Sequence, residues 1–203
     1  PSSGAAAYLA RHLRAGVING GDGMHEHPTH GLLDLLTLRD AWQGQFEGRR
    51  IAIVGDIAHS RVARSALFAL TTLGAAVTLC GPSTLMPAEA AALGCDVTTD
   101  ADQAMEGADA VMALRLQRER MESGLLPSVG EYARHWGVNP ARVARMKPDA
   151  VVMHPGPMNR GVEIAPEVAD GSRSVIFDQV ENGVAVRGAV LMRCAAAIPG
   201  ALA

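Results

Sequence analysis

Residues 51–65 read Ile51-Ala52-Ile53-Val54-Gly55-Asp56-Ile57-Ala58-His59-Ser60-Arg61-Val62-Ala63-Arg64-Ser65. A continuous apolar run, a Gly-Asp turn and an amphipathic stretch predict strand, turn and helix. The pattern recurs along the chain: Ala76 to Leu79 is followed by Pro87 to Leu93, Ala110 to Leu114 by a long polar-rich segment, and Val151 to Met153 by a loop. Apolar strands alternating with helices predict a doubly wound α/β fold, a parallel sheet with helices on both faces. In such sheets ligands sit beyond the carboxyl ends of the strands. Four segments follow apolar runs and are expected there: 19–30, 55–64, 115–120 and 154–163.

Outward from the sheet, one helix is predicted from Pro28 to about Trp42, with Leu32, Leu33, Leu35, Leu36 and Leu38 as its apolar residues. A shorter one is expected from Ala5 to Leu13. A long one is predicted from about Phe177 to Ala197, where Val180, Val184, Val190, Leu191 and Cys194 recur at helical spacing, long enough to cross from one domain to another. Gln43 to Arg50, with two glycines, reads as a linker.

The chain has 203 residues, 48% hydrophobic and 19% charged, with a formal net charge of −3, which is enough to bury a core without disulfides or a structural metal. A near-neutral balance with 3% aromatics lacks the charge and stacking surface for nucleic acid. Three scattered cysteines, Cys80, Cys95 and Cys194, predict a reducing, cytoplasmic setting. No apolar stretch reads as a membrane span or signal, and an opening at Pro1 rather than methionine suggests a start in mid-protein.

The richest segment is Gly20-Gly21-Asp22-Gly23-Met24-His25-Glu26-His27-Pro28-Thr29-His30. Its glycines let backbone approach a ligand, and a helix start behind them offers free amides to an anion. A capped helix with surface histidines is the competing reading. Metal ligation is disfavoured because the spacing does not match His-Glu-x-x-His. Arg61 falls at a predicted helix start, where its fork could hold a carboxylate in two parallel hydrogen bonds, although a solvated arginine has the same pattern. Arg115 should emerge at the end of the run Ala110 to Leu114, with Gln117 on the same side. His154-Pro155-Gly156-Pro157-Met158-Asn159 is a stiff loop offering backbone carbonyls, or a structural turn. Together these loops describe a pocket for a small, multiply anionic substrate. No Ser-His-Asp order, nucleophile elbow or reactive-cysteine context indicates covalent catalysis.

Four of these segments carry a resemblance: Val17-Ile18-Asn19-Gly20-Gly21-Asp22-Gly23 with His27-Pro28-Thr29; Ile53-Val54-Gly55-Asp56 with Ser60-Arg61; Leu114-Arg115-Leu116-Gln117-Arg118-Glu119-Arg120; and Met153-His154-Pro155-Gly156-Pro157-Met158-Asn159-Arg160-Gly161-Val162-Glu163-Ile164. In this order and spacing the chain resembles the aspartate carbamoyltransferase family, catalytic subunit, over about the last two thirds of its usual length. The resemblance implies carbamoyl transfer from carbamoyl phosphate to L-aspartate in pyrimidine synthesis, with no cofactor and no metal. It implies that His27 donates to the carbamoyl oxygen, that Arg61 and Arg115 hold the aspartate carboxylates, that Gln117 supports Arg115, and that Gly156 and Pro157 accept from the carbamoyl amide. His30 stands where the family usually has glutamine.

The family's Ser-Thr-Arg-Thr phosphate cradle and mobile-loop lysine are not found; Lys147 is the only lysine. The division implied is 1–43 as the end of a carbamoyl-phosphate domain and its linking helix, 44–172 as the aspartate-binding domain, and 173–203 as a helix returning to the first. The chain alone is then expected to be inactive or nearly so. The family implies a homotrimer, joined in some organisms by regulatory or dihydroorotase subunits. The competing functions are ornithine carbamoyltransferase, a non-catalytic dicarboxylate-binding or assembly module, and a bare nucleotide-binding domain.

Overall fold

The computed structural model describes residues 2–116 and 128–196. Its elements in chain order are α1 (Ala5–His12), α2 (Pro28–Ala41), β1 (Arg50–Val54), α3 (Arg61–Thr72), β2 (Ala76–Cys80), β3 (Asp96–Thr98), α4 (Ala101–Met105), β4 (Ala110–Ala113), α5 (Val129–Trp136), α6 (Pro140–Val143), β5 (Val151–Met153), α7 (Pro166–Ala169) and α8 (Ile176–Ala196). The strands form one parallel sheet in the order β3-β2-β1-β4-β5. From β1 the chain steps outward one way through β2 and β3, then crosses back to β4 and β5. The reversal lies between β1 and β4, where a crevice opens at the carboxyl ends.

Burial follows from period-2 alternation with both faces covered. Ile51 and Ile53 of β1 pack with Leu38 and Trp42 of α2 and its end and with Leu67 and Leu70 of α3. Ala52 and Val54 face the other way, into a cluster with Ala101, Met105, Val138 and Val168. The central strands are therefore apolar and buried over Ile51–Val54 and Ala110–Ala113 rather than alternating, as the sequence pattern implied.

Local chemistry sets the element ends. Pro28 and Pro140 occupy first turns, where their missing N–H costs nothing. The Ser60 hydroxyl caps α3 by accepting from the Ala63 N–H, and Ser128 caps α5 by accepting from that of Glu131. Gly55, at the β1 end, has a φ of 141°, and a Cβ there would lie 2.9 Å from the Leu114 Cβ. It lets the ends of β1 and β4 meet.

Some expectations are corrected. Pro87 to Leu93 forms only a 3-10 turn over Ala90–Leu93, while β3 and α4 were not anticipated. Arg50 already belongs to β1, and Phe46 is core rather than linker. The segment 19–30 does not follow a strand: residues 19–27 form a tight loop folded around Asp22, which accepts the N–H groups of Gly4 and Glu26 at 2.7 and 3.0 Å, and residues 28–30 begin α2. On α8, Val180, Val184 and Leu191 are exposed, together with Phe177 and Met192, whereas Ile176, Gln179 and Gly183 are buried. Asn182 donates to the Thr37 hydroxyl of α2 at 3.0 Å. No helix among the described residues is long and apolar enough to cross a membrane.

Replacing Gly55 with alanine combines an unfavourable φ with a 2.9 Å clash, so Gly55→Ala is expected to lower stability by about 2 kcal/mol or more. Urea unfolding of the two proteins checks this; coincident midpoints would contradict the packing described.

Candidate active site

A cavity of about 330 Å³ opens at the sheet's reversal, lined by His27, His30, Ser60, Arg61, Val62, Arg115, Pro155, Gly156, Pro157 and Arg187. Of the residues singled out from sequence, His27, His30, Arg61, Arg115, Gly156 and Pro157 are brought together here. Gln117 lies outside the described residues. A hollow of about 60 Å³ beside α3, lined by residues such as Met24, Ile57 and Leu67, is too small for a substrate of the expected size.

Each wall has its own support. His27 is the residue that caps α2, and its main-chain N–H donates to the Ser65 hydroxyl of α3 at 2.8 Å. Arg61 opens α3, and its guanidinium lies flat against Gly21: a Cβ at that glycine would stand 2.6 Å from the Arg61 Cζ. The Gly-Gly-Asp-Gly loop thus supplies room for an arginine rather than a cradle for phosphate. Arg115 leaves the end of β4 two residues beyond Ala113.

The loop after β5 is pinned from beneath. His154 is buried, and its Nδ1 accepts the Gly156 N–H at 2.9 Å, so Nε2 carries the ring proton and donates to Glu163 at 3.2 Å. Glu163 also accepts the main-chain N–H of Asn159 and, at 3.1 Å, its side-chain amide, which reaches the Leu116 carbonyl at the same distance. One buried carboxylate therefore fixes both the Gly156-Pro157 turn and the strand exit that carries Arg115.

The cavity holds three guanidiniums and, among the described lining residues, no carboxylate. Its two histidines respond. Burial, then Arg61 and Arg187, pull the His27 pKa down to about 4. Burial, then His27, Arg187 and Arg61, pull that of His30 down to about 3. Both rings are neutral at pH 7, so each carries one donor and one acceptor nitrogen, and the negative charge of a ligand is met by arginine. Behind them, fully buried Asp34 is pushed up to about 7 by desolvation, against the opposing hydrogen bond from Gln179.

Arg187 was not singled out from sequence. Ile176, Gln179, Gly183 and Arg187 recur at intervals of three and four, which places them on one side of α8, and a Cβ at Gly183 would lie 2.6 Å from Arg187 Nη1. A polar, a small and a basic residue in line on one stripe of the helix were the available signal.

This geometry meets its family in the comparisons. Residues 47–194 match the family described as aspartate/ornithine carbamoyltransferase, Asp/Orn binding domain, and the chain belongs to it. Within the family, the chain is 59% identical over 195 residues to the aspartate carbamoyltransferase catalytic subunit of Myxococcus xanthus, covering 96% of this chain and 65% of that protein. It is 60% identical to that of Sorangium cellulosum, covering 96% and 60%. The chain thus spans less than two thirds of the length of these relatives. Among solved structures it is similar to aspartate transcarbamoylase from Trypanosoma cruzi in complex with carbamoyl aspartate and phosphate, with TM-score 0.80, 29% identity and coverage of 94% and 63%. Ornithine carbamoyltransferase from Thermus thermophilus is nearly as similar, with TM-score 0.79, 28% identity and coverage of 93% and 62%.

The histidine pKa values have a consequence for stability. A histidine whose folded pKa is depressed contributes stability that is complete above its unfolded value of 6.5 and is lost as pH falls toward the folded value, here about 3 for His30. Asp34, raised from 3.8 to about 7, works oppositely, its contribution complete below 3.8 and lost as pH rises to 7. Between pH 6 and pH 4, His30→Gln should therefore lose less stability than wild type, by up to about 1.4 kcal/mol per pH unit. Urea unfolding at several pH values measures it; parallel pH dependences would contradict a neutral, buried His30.

Proposed function

We propose that this chain forms the amino-acid-binding part of an aspartate carbamoyltransferase catalytic subunit. The protein to which it belongs then transfers the carbamoyl group of carbamoyl phosphate to L-aspartate, giving N-carbamoyl-L-aspartate and phosphate. The observation that carries this reading is the convergence of Arg61 and Arg115, from different strand exits, on one cavity with neutral His27. A dicarboxylate needs two fixed cations, and each guanidinium offers a planar pair of donors.

In this reading Arg61 and Arg115 hold the two carboxylates and aim the amine. His27 donates to the carbamoyl oxygen where charge grows as the amine adds. The Thr29 hydroxyl lies 3.4 Å from His27 Nδ1 and can occupy that nitrogen, leaving Nε2–H for the ligand. The Gly156 and Pro157 region supplies acceptors for the carbamoyl amide, with Gln117 supporting Arg115. Catalysis is orientation and charge placement without a covalent step. Arg187 adds a third cation to a wall that His27 and His30 share. The enzyme acts in pyrimidine synthesis in the cytoplasm, as a homotrimer able to join regulatory or dihydroorotase subunits.

For the domain division at 43 and 172, support comes from α8. Its side facing α2 is occupied, and the exposed row Phe177, Val180 and Val184 continues toward Leu191. Such an apolar row suits a helix that returns to cover the carbamoyl-phosphate domain.

L-Ornithine as acceptor is disfavoured by the charge of the cavity, since its cationic side chain would meet arginines and, among the described lining residues, no carboxylate. The native protein assayed with carbamoyl phosphate should carbamoylate L-aspartate and not L-ornithine. A charge-assisted hydrogen bond contributes about 1.5–3 kcal/mol, so Arg61→Ala and Arg115→Ala should each lower kcat/KM for aspartate about 10- to 100-fold or more. Dicarboxylate binding without transfer by the native protein would support the non-catalytic reading instead, and preference for ornithine would overturn the assignment of acceptor.

A further inference from the structure

Two walls of the cavity, Arg115 and the Gly156-Pro157 turn, are tied to each other from behind. Arg115 sits between two fixed points of the β4 exit. On one side the Leu114 N–H donates to the Val54 carbonyl of β1 at 2.8 Å. On the other the Leu116 carbonyl accepts from Asn159 Nδ2 at 3.1 Å, and the Leu116 side chain is buried against Leu85 and Tyr132. Asn159 lies 43 residues further along the chain, on the loop that carries Gly156 and Pro157. The β4–β5 ladder ends at the pair Met112 and Met153. Beyond that pair, Asn159 supplies a bond between the two exits.

The chemistry of the partners leaves little freedom in this tie. Asn159 Nδ2 meets two acceptors, the Leu116 carbonyl and Glu163 Oε2, each at 3.1 Å. Both amide hydrogens are thereby used, which fixes the orientation of the carboxamide. The other oxygen of Glu163, Oε1, accepts the Asn159 main-chain N–H and, at 3.2 Å, His154 Nε2. His154 Nδ1 in turn accepts the Gly156 N–H at 2.9 Å. Glu163 and His154 are each 1% exposed, so solvent has little access to these bonds, and a donor lost here is not readily replaced. The Asn159 main chain has its own anchor, since its carbonyl accepts the Val162 N–H at 3.0 Å. Its side chain reaches the β4 exit from a fixed base.

We propose that Asn159, oriented by Glu163, is a positioning residue that couples the Arg115 side of the cavity to the Gly156-Pro157 side, so that a ligand seated on one favours the geometry of the other. A shift of Gly156 moves His154, Glu163 passes it to Asn159, and Asn159 passes it to the Leu116 carbonyl, next to Arg115 in the chain. A ligand that orders either loop has met part of the entropic cost of ordering its partner, and the second ligand binds more tightly for that reason.

Which ligands sit on the two sides rests on the carbamoyltransferase reading: a carboxylate of aspartate on Arg115, and the carbamoyl end of carbamoyl phosphate on the turn. In that reading carbamoyl phosphate raises the affinity for the dicarboxylate, and Asn159 carries part of the gain. The tie itself is independent of the reading and is also tested without ligand.

Calorimetric titration of the native protein with succinate, without and with saturating carbamoyl phosphate, gives the coupling as the ratio of the two affinities. In Asn159→Ala that ratio is expected to fall about fivefold or more toward one. Combining Asn159→Asp with Glu163→Gln separates the tie from the packing of the loop. The new glutamine amide donates to the new carboxylate, which keeps the bond within the loop, but no side-chain N–H is left for the Leu116 carbonyl. Urea stability should then recover relative to Asn159→Ala while the ratio stays low. A wild-type ratio in Asn159→Ala, or a ratio restored in the double variant, would overturn the proposal.

Hydrogen exchange of the Gly156 amide, followed by NMR without ligand, reads the same tie. It should be about fivefold faster in Asn159→Ala, with exchange of the Ile53 amide in β1 unchanged. Unchanged exchange at Gly156 would count against the coupling. A native protein that shows this exchange effect but binds neither succinate nor carbamoyl phosphate would support the tie and count against the enzymatic reading alone.

Discussion

Three arginine side chains share one cavity in which no described lining residue bears a carboxylate, and most of the site's properties follow from that concentration of positive charge. At an effective dielectric of about 20, two unit charges about 8 Å apart repel by about 2 kcal/mol. Such a cluster persists because the backbone imposes it. Arg61 is placed by the turn after β1, Arg115 by the exit of β4, and Arg187 by a helix packed on α2. Burial, with Arg61 and Arg187 adding to it, keeps His27 and His30 neutral, which lets them serve as hydrogen-bonding groups rather than further cations. An anion entering the cavity relieves the repulsion, so binding and electrostatic relaxation are the same event.

The sheet is what makes the convergence possible. Around β1 and β4 both of its faces are apolar and covered, so the charged side chains that meet at the cavity stand beyond the strand ends. The strand reversal between β1 and β4 then brings two loops from separate crossovers to one crevice. Beneath them Glu163, Asn159 and His154 tie the Arg115 exit to the Gly156-Pro157 turn. Above them Gly21 clears space that any larger residue would take from the Arg61 guanidinium.

Much of this was legible in the residues themselves. Runs such as Ile51 to Val54 and Ala110 to Leu114 announce strands buried on both faces, and the polar residues directly after them are those that meet at the cavity. What escaped did so for physical reasons. β3 is three residues long and largely exposed, too short to show a period. Arg187 sits in a helix whose other side displays valines, so its pattern suggested only packing. Asp34 and Gln179 are 145 residues apart, and each alone reads as a polar residue on an amphipathic helix; their pairing is created by the crossing of α2 and α8. The Asp22 loop resembled a strand exit because glycines and an acid suit many turns equally well.

The central claim is that two guanidiniums from different strand exits receive the two ends of one dicarboxylate. A crystal structure of the native protein grown with succinate, a dicarboxylate lacking the reactive amine, examines this directly. One carboxylate is expected on Arg61 and the other on Arg115, with the carbon chain crossing the cavity between them. Succinate bound through a single arginine, or the two side chains turned away from a common ligand, would contradict the account.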